Sequence, residues 1–86
     1  MLPVGKLDPR LLENIVFRYL GARRDEVVIG PRVGVDAAVL RIDGKLLVFK
    51  SDPIIGATTR IGWLAIHIVS NDIACMGAKP LAVTLT

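Results

Sequence analysis

Apolar positions recur along this chain with three different rhythms, and each predicts a different element. The first is helical. Leu11, Leu12, Ile15, Val16, Tyr19 and Leu20 return at three- and four-residue spacing. Asp8 stands ahead of them as an acceptor for the free N–H groups of a first turn, and Pro9 occupies the first helical position, where no N–H is needed. Leu7 and Leu12 are spaced as a hydrophobic staple, and Gly21 can supply a left-handed stop. The pattern predicts one helix running from Pro9 toward Gly21.

The second rhythm is that of strands. A β-branched run, Val27-Val28-Ile29, follows the charged connector Arg23 to Glu26 and ends at Gly30-Pro31. Two longer apolar runs, residues 37–42 and 45–49, flank Asp43-Gly44, a dipeptide that tolerates the positive φ angles of a type I′ turn. With Asp43 and Gly44 as the loop, paired positions sum to 87. One face then carries Ala38, Leu40, Ile42, Leu47 and Phe49; the other carries Ala37, Val39, Arg41, Leu46, Val48 and Lys50. Both faces are more apolar than a half-solvated hairpin requires, so the second face is expected to meet another surface.

The third rhythm is nearly continuous. Ile61 to Met76 has a helix's length, lacks Pro and is closed by Gly77 and Pro80; Thr59 is the candidate cap. It is apolar almost all round, which predicts burial. Residues 81–86 read as a final strand. The expected fold class is therefore α+β, a mixed or antiparallel sheet with packed helices.

Composition narrows the picture. With 86 residues there is room for one core. A 52% hydrophobic content and a mean hydropathy of +0.55 exclude a disordered linker and predict a partner surface or further sequence. The apolar stretch of residues 61–76 includes His67, Ser70, Asn71 and Asp72, so it is no ~20-residue membrane span, and the N-terminus lacks a secretory pattern. The expected compartment is the cytoplasm, with no membrane partner. One cysteine, Cys75, excludes an internal disulfide, and no Cys/His cluster has zinc spacing. Seven Arg against four Lys, with no Gln and two Asn, follows the amide depletion of thermophile proteins. A net charge of +3 without a basic run interleaved with aromatics gives no support to nucleic-acid recognition. Hydrolase and metalloprotease motifs are absent.

Asp72 is the residue most in need of an explanation. Its helical neighbours Ile68, Val69, Cys75 and Met76 are apolar, and it lies near a helix C-terminus, where the dipole disfavours negative charge. A bound cation or a basic side chain would each supply the missing partner. Asn71 is adjacent, and His67, Ser70 and Asn71 share a second face that suits either solvent or a ligand; His67 could act as a base or be locally bonded. Asp36 and Asp52 both fall at the open end of the hairpin, where they are either ordinary strand-end residues or, if pairing ends near Pro53, two ligands of one ion. Three aspartates without His or Cys would suit a hard ion such as Mg²⁺, which commonly arrives with nucleotide phosphates. Gly5-Lys6 in the N-terminal arm could meet a phosphate but is not a P-loop.

The order of these pieces resembles a known family. Gly34-Val35-Asp36-Ala37-Ala38-Val39-Leu40, Ser51-Asp52-Pro53, and Ile61-Gly62-Trp63-Leu64-Ala65 leading to Ser70-Asn71-Asp72-Ile73-Ala74-Cys75-Met76-Gly77-Ala78-Lys79-Pro80-Leu81 are similar to the N-terminal domain of the aminoimidazole ribonucleotide (AIR) synthetase, or PurM, superfamily. That superfamily includes thiamine-monophosphate kinase, selenophosphate synthetase, formylglycinamidine ribonucleotide synthetase and the hydrogenase maturation protein HypE; Leu2-Pro3-Val4-Gly5-Lys6-Leu7 looks most like HypE and its archaeal relatives. The resemblance divides the chain into an arm, helix and connector at 1–33 and the start of an ATP-binding domain at 34–86. It implies a homodimer whose sheets form a barrel with nucleotide sites at the interface. It also implies ATP and Mg²⁺ as cofactors, with Asp36, Asp52 and Asp72 on the metal and Asn71 and Lys6 assisting nucleotide binding. In the HypE branch the phosphorylated group is a thiocarboxamide on a C-terminal cysteine, which implies a hydrogenase-maturation partner; Cys75, inside a helix, is no substitute for that cysteine. Where the family often has a second acid before its first aspartate, this chain has Val35, leaving one ligand fewer. The family's sequence continues past the strand that follows the Asn-Asp helix, so a complete active site is expected to need that further sequence. Two other readings stay open: a thiamine-monophosphate kinase-like phosphotransferase, and a dimerisation or assembly domain without catalysis.

Overall fold

The computed structural model describes residues 2–86. Helix α1 spans Pro9–Asn14 and is followed by a 3₁₀ turn, Val16–Tyr19. Asp8 caps α1 as expected, accepting from the Arg10 backbone N–H at 2.8 Å. The predicted single helix is thus two pieces, broken at Ile15. Two adjacent β-branched residues, Ile15 and Val16, are stiff against the preceding turn, and both are exposed. No burial compensates the marginal stability of so short a helix.

Three strands form one antiparallel sheet in the order β1 (Val27–Ile29), β2 (Ala38–Ile42), β3 (Lys45–Phe49). The β2–β3 register is the predicted one, from Ala38 opposite Phe49 to Ile42 opposite Lys45. Asp43 and Gly44 take φ values of 51° and 76°, the paired positive angles of a type I′ turn. β1 joins the other edge of β2 with an irregularity between Val27 and Ile29, and Arg41 donates to the Glu26 carbonyl at 2.7 Å.

Helix α2 spans Ile61–Cys75. Its C-terminus closes with Gly77 at φ 77°, donating to Ala74, while Ala78 donates to Ile73; these are the two bonds of a Schellman motif. Its N-terminus departs from expectation. The capping position falls on Arg60, in the left-handed region with no side-chain cap bond, and Thr59 lies one residue too early. The Arg60 guanidinium instead lies 4.7 Å from the Trp63 ring centroid, an attraction of about 0.5–1 kcal/mol that offsets part of the roughly 1–2 kcal/mol left-handed cost.

The predicted burial of α2 is also corrected: none of its residues is buried, and Ile61, Trp63, Ile66 and Ile68 are exposed. Residues 81–86 form no strand, and Leu81, Val83 and Leu85 face solvent. Both corrections have one cause: an apolar segment is buried, and a strand is a strand, only against a partner. The buried apolar residues among those described are Ala37, immediately ahead of β2, and Val39 within it. A radius of gyration of 14.9 Å exceeds the ~12 Å of a compact chain this long. An accessible surface of 7623 Å² likewise exceeds the ~5,000 Å² of a self-contained protein of this mass. Among the described residues no helix is long and apolar enough to cross a membrane.

Candidate functional site

The hairpin ladder ends at Ala38 and Phe49, and the backbone over residues 50–60 is irregular before α2 begins. That release matters, because strict alternation would put neighbouring side chains on opposite faces. Past the ladder, Lys50 and Asp52 meet: the Lys50 Nζ lies 3.7 Å from Asp52 Oδ2. The same Nζ lies 3.2 Å from Asp72 Oδ2 on the penultimate turn of α2. Two carboxylates twenty residues apart in sequence therefore converge on one ammonium. The three side chains are 22–31% exposed, intermediate between a solvated surface pair and a core pair. This triad ties the open end of the hairpin to α2, and it supplies the partner that Asp72 lacks on its own helix.

The other expected site residues are placed differently. Asp36 is exposed and makes no ion pair among the described residues. No three Asp, Glu, His or Cys side chains among those residues are grouped closely enough to hold one ion. The structure thus brings together Asp52 and Asp72 and leaves Asp36 apart. Asn71 is exposed beside Asp72. Lys6 lines an open groove of about 730 Å³ together with Arg32, Gly34 and Val35, so the N-terminal arm lies against the residues leading into Asp36. Leu7 and Leu12, the expected staple, line it too.

His67 is engaged locally. Its Nδ1 donates to the Trp63 carbonyl at 2.8 Å, which leaves Nε2 as the free ring nitrogen. Its ring stacks on Trp63 with centroids 3.9 Å apart and planes 17° from parallel. Cys75 is exposed and unpaired in disulfide terms.

Lys50 and Arg32 were not singled out by pattern. The signal for Lys50 was present in the register, which sets it at the open end of the hairpin two residues before Asp52. Arg32 carried no such signal, because its position in the groove depends on where the arm folds back.

As donors, Asp52 and Asp72 suit a hard divalent cation. Both are oxygen ligands, and they already share one positive charge.

The three-stranded hairpin sheet, helix α2 and the aspartate pair held between a strand end and that helix define an α+β domain. The comparisons specify the class further. The family described as AIR synthase related protein, N-terminal domain, matches residues 34–86, and the chain belongs to that family. It is 34% identical to a Methanocaldococcus jannaschii protein named for hydrogenase expression/formation, over 95% of this chain and 26% of that protein. It is 37% identical to a thiamine-monophosphate kinase of Archaeoglobus fulgidus, over 81% of this chain and 25% of the kinase. The chain spans about a quarter of the length of these curated relatives. No solved structure matches it.

Proposed function

We propose that this chain is the metal- and phosphate-handling, dimerising part of a cytoplasmic ATP-dependent enzyme of the hydrogenase-maturation branch. The observation that carries the reading is the convergence of Asp52 and Asp72, both within the stretch that matches the family, on the Lys50 ammonium. In this reading Asp52 and Asp72 would hold Mg²⁺ with Asn71 beside them, and Asp36, which stands apart in the structure, would become a further ligand only by a movement of the segment that carries it. Bound there, Mg²⁺ would neutralise charge on the ATP phosphates during transfer of the γ-phosphoryl group to a substrate oxygen. Lys6 and Arg32, which line one groove next to Gly34, would supply positive charge to the rest of the polyphosphate in this reading.

The open hairpin face, with Ile42, Leu47 and Phe49 exposed, is the surface proposed to meet a second copy. Sedimentation equilibrium is expected to give the mass of two chains; a monomer at micromolar concentration would remove this part of the reading.

The central test is Mg²⁺-ATP binding by calorimetry. Asp72→Asn should weaken binding by at least the ~10–100-fold typical of disturbing a metal site; binding equal to that of the unaltered chain would remove the metal role. The identity to a thiamine-monophosphate kinase favours a second reading, phosphoryl transfer to a phosphate-bearing acceptor. Both enzyme readings share the nucleotide site, so they part on which acceptor is phosphorylated. An assembly domain without catalysis would instead show nucleotide behaviour indifferent to Asp72→Asn.

A further inference from the structure

A lysine held between two acids is already a cation at the position where a metal would be held. We propose that Lys50 is the resident counter-ion of the Asp52–Asp72 pair and sets its affinity for divalent cations by competing for the same oxygens. The inference rests on the metal reading above and deepens it.

Three observations carry it. Lys50 reaches Oδ2 of both carboxylates, at 3.7 Å and 3.2 Å, so a cation taken up by Asp52 and Asp72 would compete with the ammonium. The Lys50 side chain is only 22% exposed, so it is seated at the site. Lys50 is the first residue beyond β3, so the hairpin register anchors its backbone next to the site. The residue type suits the task. Lysine is a compact point charge on a flexible four-carbon stem, able to leave as a unit, whereas an arginine fork would hold both acids in a fixed geometry.

The physical consequence is a site with two balanced states. Without metal, Lys50 cancels the repulsion between two close carboxylates and links hairpin to helix. Were a divalent cation to bind, the Lys50 ammonium would give up the two carboxylates and remain tethered beside them, free to pair with an anion that accompanies the metal. A bare ion must break both lysine contacts without replacing them. An ion carrying phosphate offers Lys50 a new partner, so occupancy is biased toward the metal–phosphate complex over the free metal.

The test is Mn²⁺ binding to the chain, followed by electron paramagnetic resonance of the free ion. Lys50→Gln and Lys50→Met should bind Mn²⁺ about tenfold tighter than the unaltered chain, the worth of two partly exposed ion pairs. Lys50→Arg, which keeps the charge, should bind no tighter than the unaltered chain. Adding Asp72→Asn to Lys50→Gln should abolish the gain. Equal affinity in all Lys50 variants would overturn the competition and leave the metal reading standing. Weaker binding by a folded Lys50→Gln chain would overturn it too, making Lys50 an organiser of the acids. No Mn²⁺ binding by any variant would overturn both readings. A measurement on the unaltered chain guards against misfolded variants: on Mg²⁺ titration the Lys50 Cε–H resonance should move toward that of a free lysine, and an unmoved resonance under saturating metal overturns the proposal.

Discussion

The β2–β3 hairpin and helix α2 are both rich in apolar residues, yet one has found its partners and the other has not. Every residue of β2 is paired with β3 across a two-residue turn. α2 is three times as long as either strand and well terminated at its C-terminal end, but none of its residues is buried. The difference lies in range. A hairpin's partners are its own sequence neighbours, so pairing closes with little loop entropy. A helix satisfies its backbone internally and depends on distant surfaces to cover its side chains. The Lys50–Asp72 ion pair, at 3.2 Å, is a direct link between the two regions.

The largest effect that would sharpen this contrast comes from placing a charge in each region. Val39, 7% exposed on β2, should not tolerate Val39→Asp: an unpaired buried carboxylate costs on the order of 3 kcal/mol or more, enough to unfold the sheet in far-UV circular dichroism. Ile66, 43% exposed on α2, should accept Ile66→Lys within about 0.5 kcal/mol in a thermal melt of the chain alone. Comparable losses at both positions would show that α2 is as deeply packed in solution as the sheet.

A smaller effect tests whether the turn sets the register. Gly44→Val puts a β-branched side chain at φ 76° and should cost about 1–2 kcal/mol, read as a lowered denaturant midpoint. An unchanged midpoint would mean that strand packing, not turn chemistry, holds the ladder.

The smallest concerns α1. Asp8 has its carboxyl held below the usual range, first by its side-chain bond to Arg10 and then by the Arg10 backbone N–H, with desolvation opposing weakly. Its folded value is depressed, so its contribution is present above the ordinary carboxylate range and is lost as pH falls below about 4. Helical ellipticity from α1 should therefore decrease on acidification through that range, and Asp8→Ala should remove that step.

What could be read from residues alone followed the distance over which the cause acts. The hairpin register was legible because Asp43-Gly44 determines it within four residues, and the α1 start because Asp8 and Pro9 act within one turn. The break at Ile15 was not legible, since apolar periodicity marks a face and says nothing of whether that face is covered. The exposure of α2 has the same reason: apolar composition predicts burial only where a covering surface exists.

The candidate site divides along the same line. Sequence by itself determined that Asp36, Asp52 and Asp72 are the residues to weigh, that Asp72 needs a positive partner, and which family carries these motifs in this order. Only the tertiary structure decided that Lys50 is that partner, that Asp52 joins it while Asp36 stands apart, and that Lys6 and Arg32 share a groove. The physical reason is that charge and propensity belong to single residues and short windows. Convergence belongs to the placement of one strand end against one helix, which no local pattern encodes.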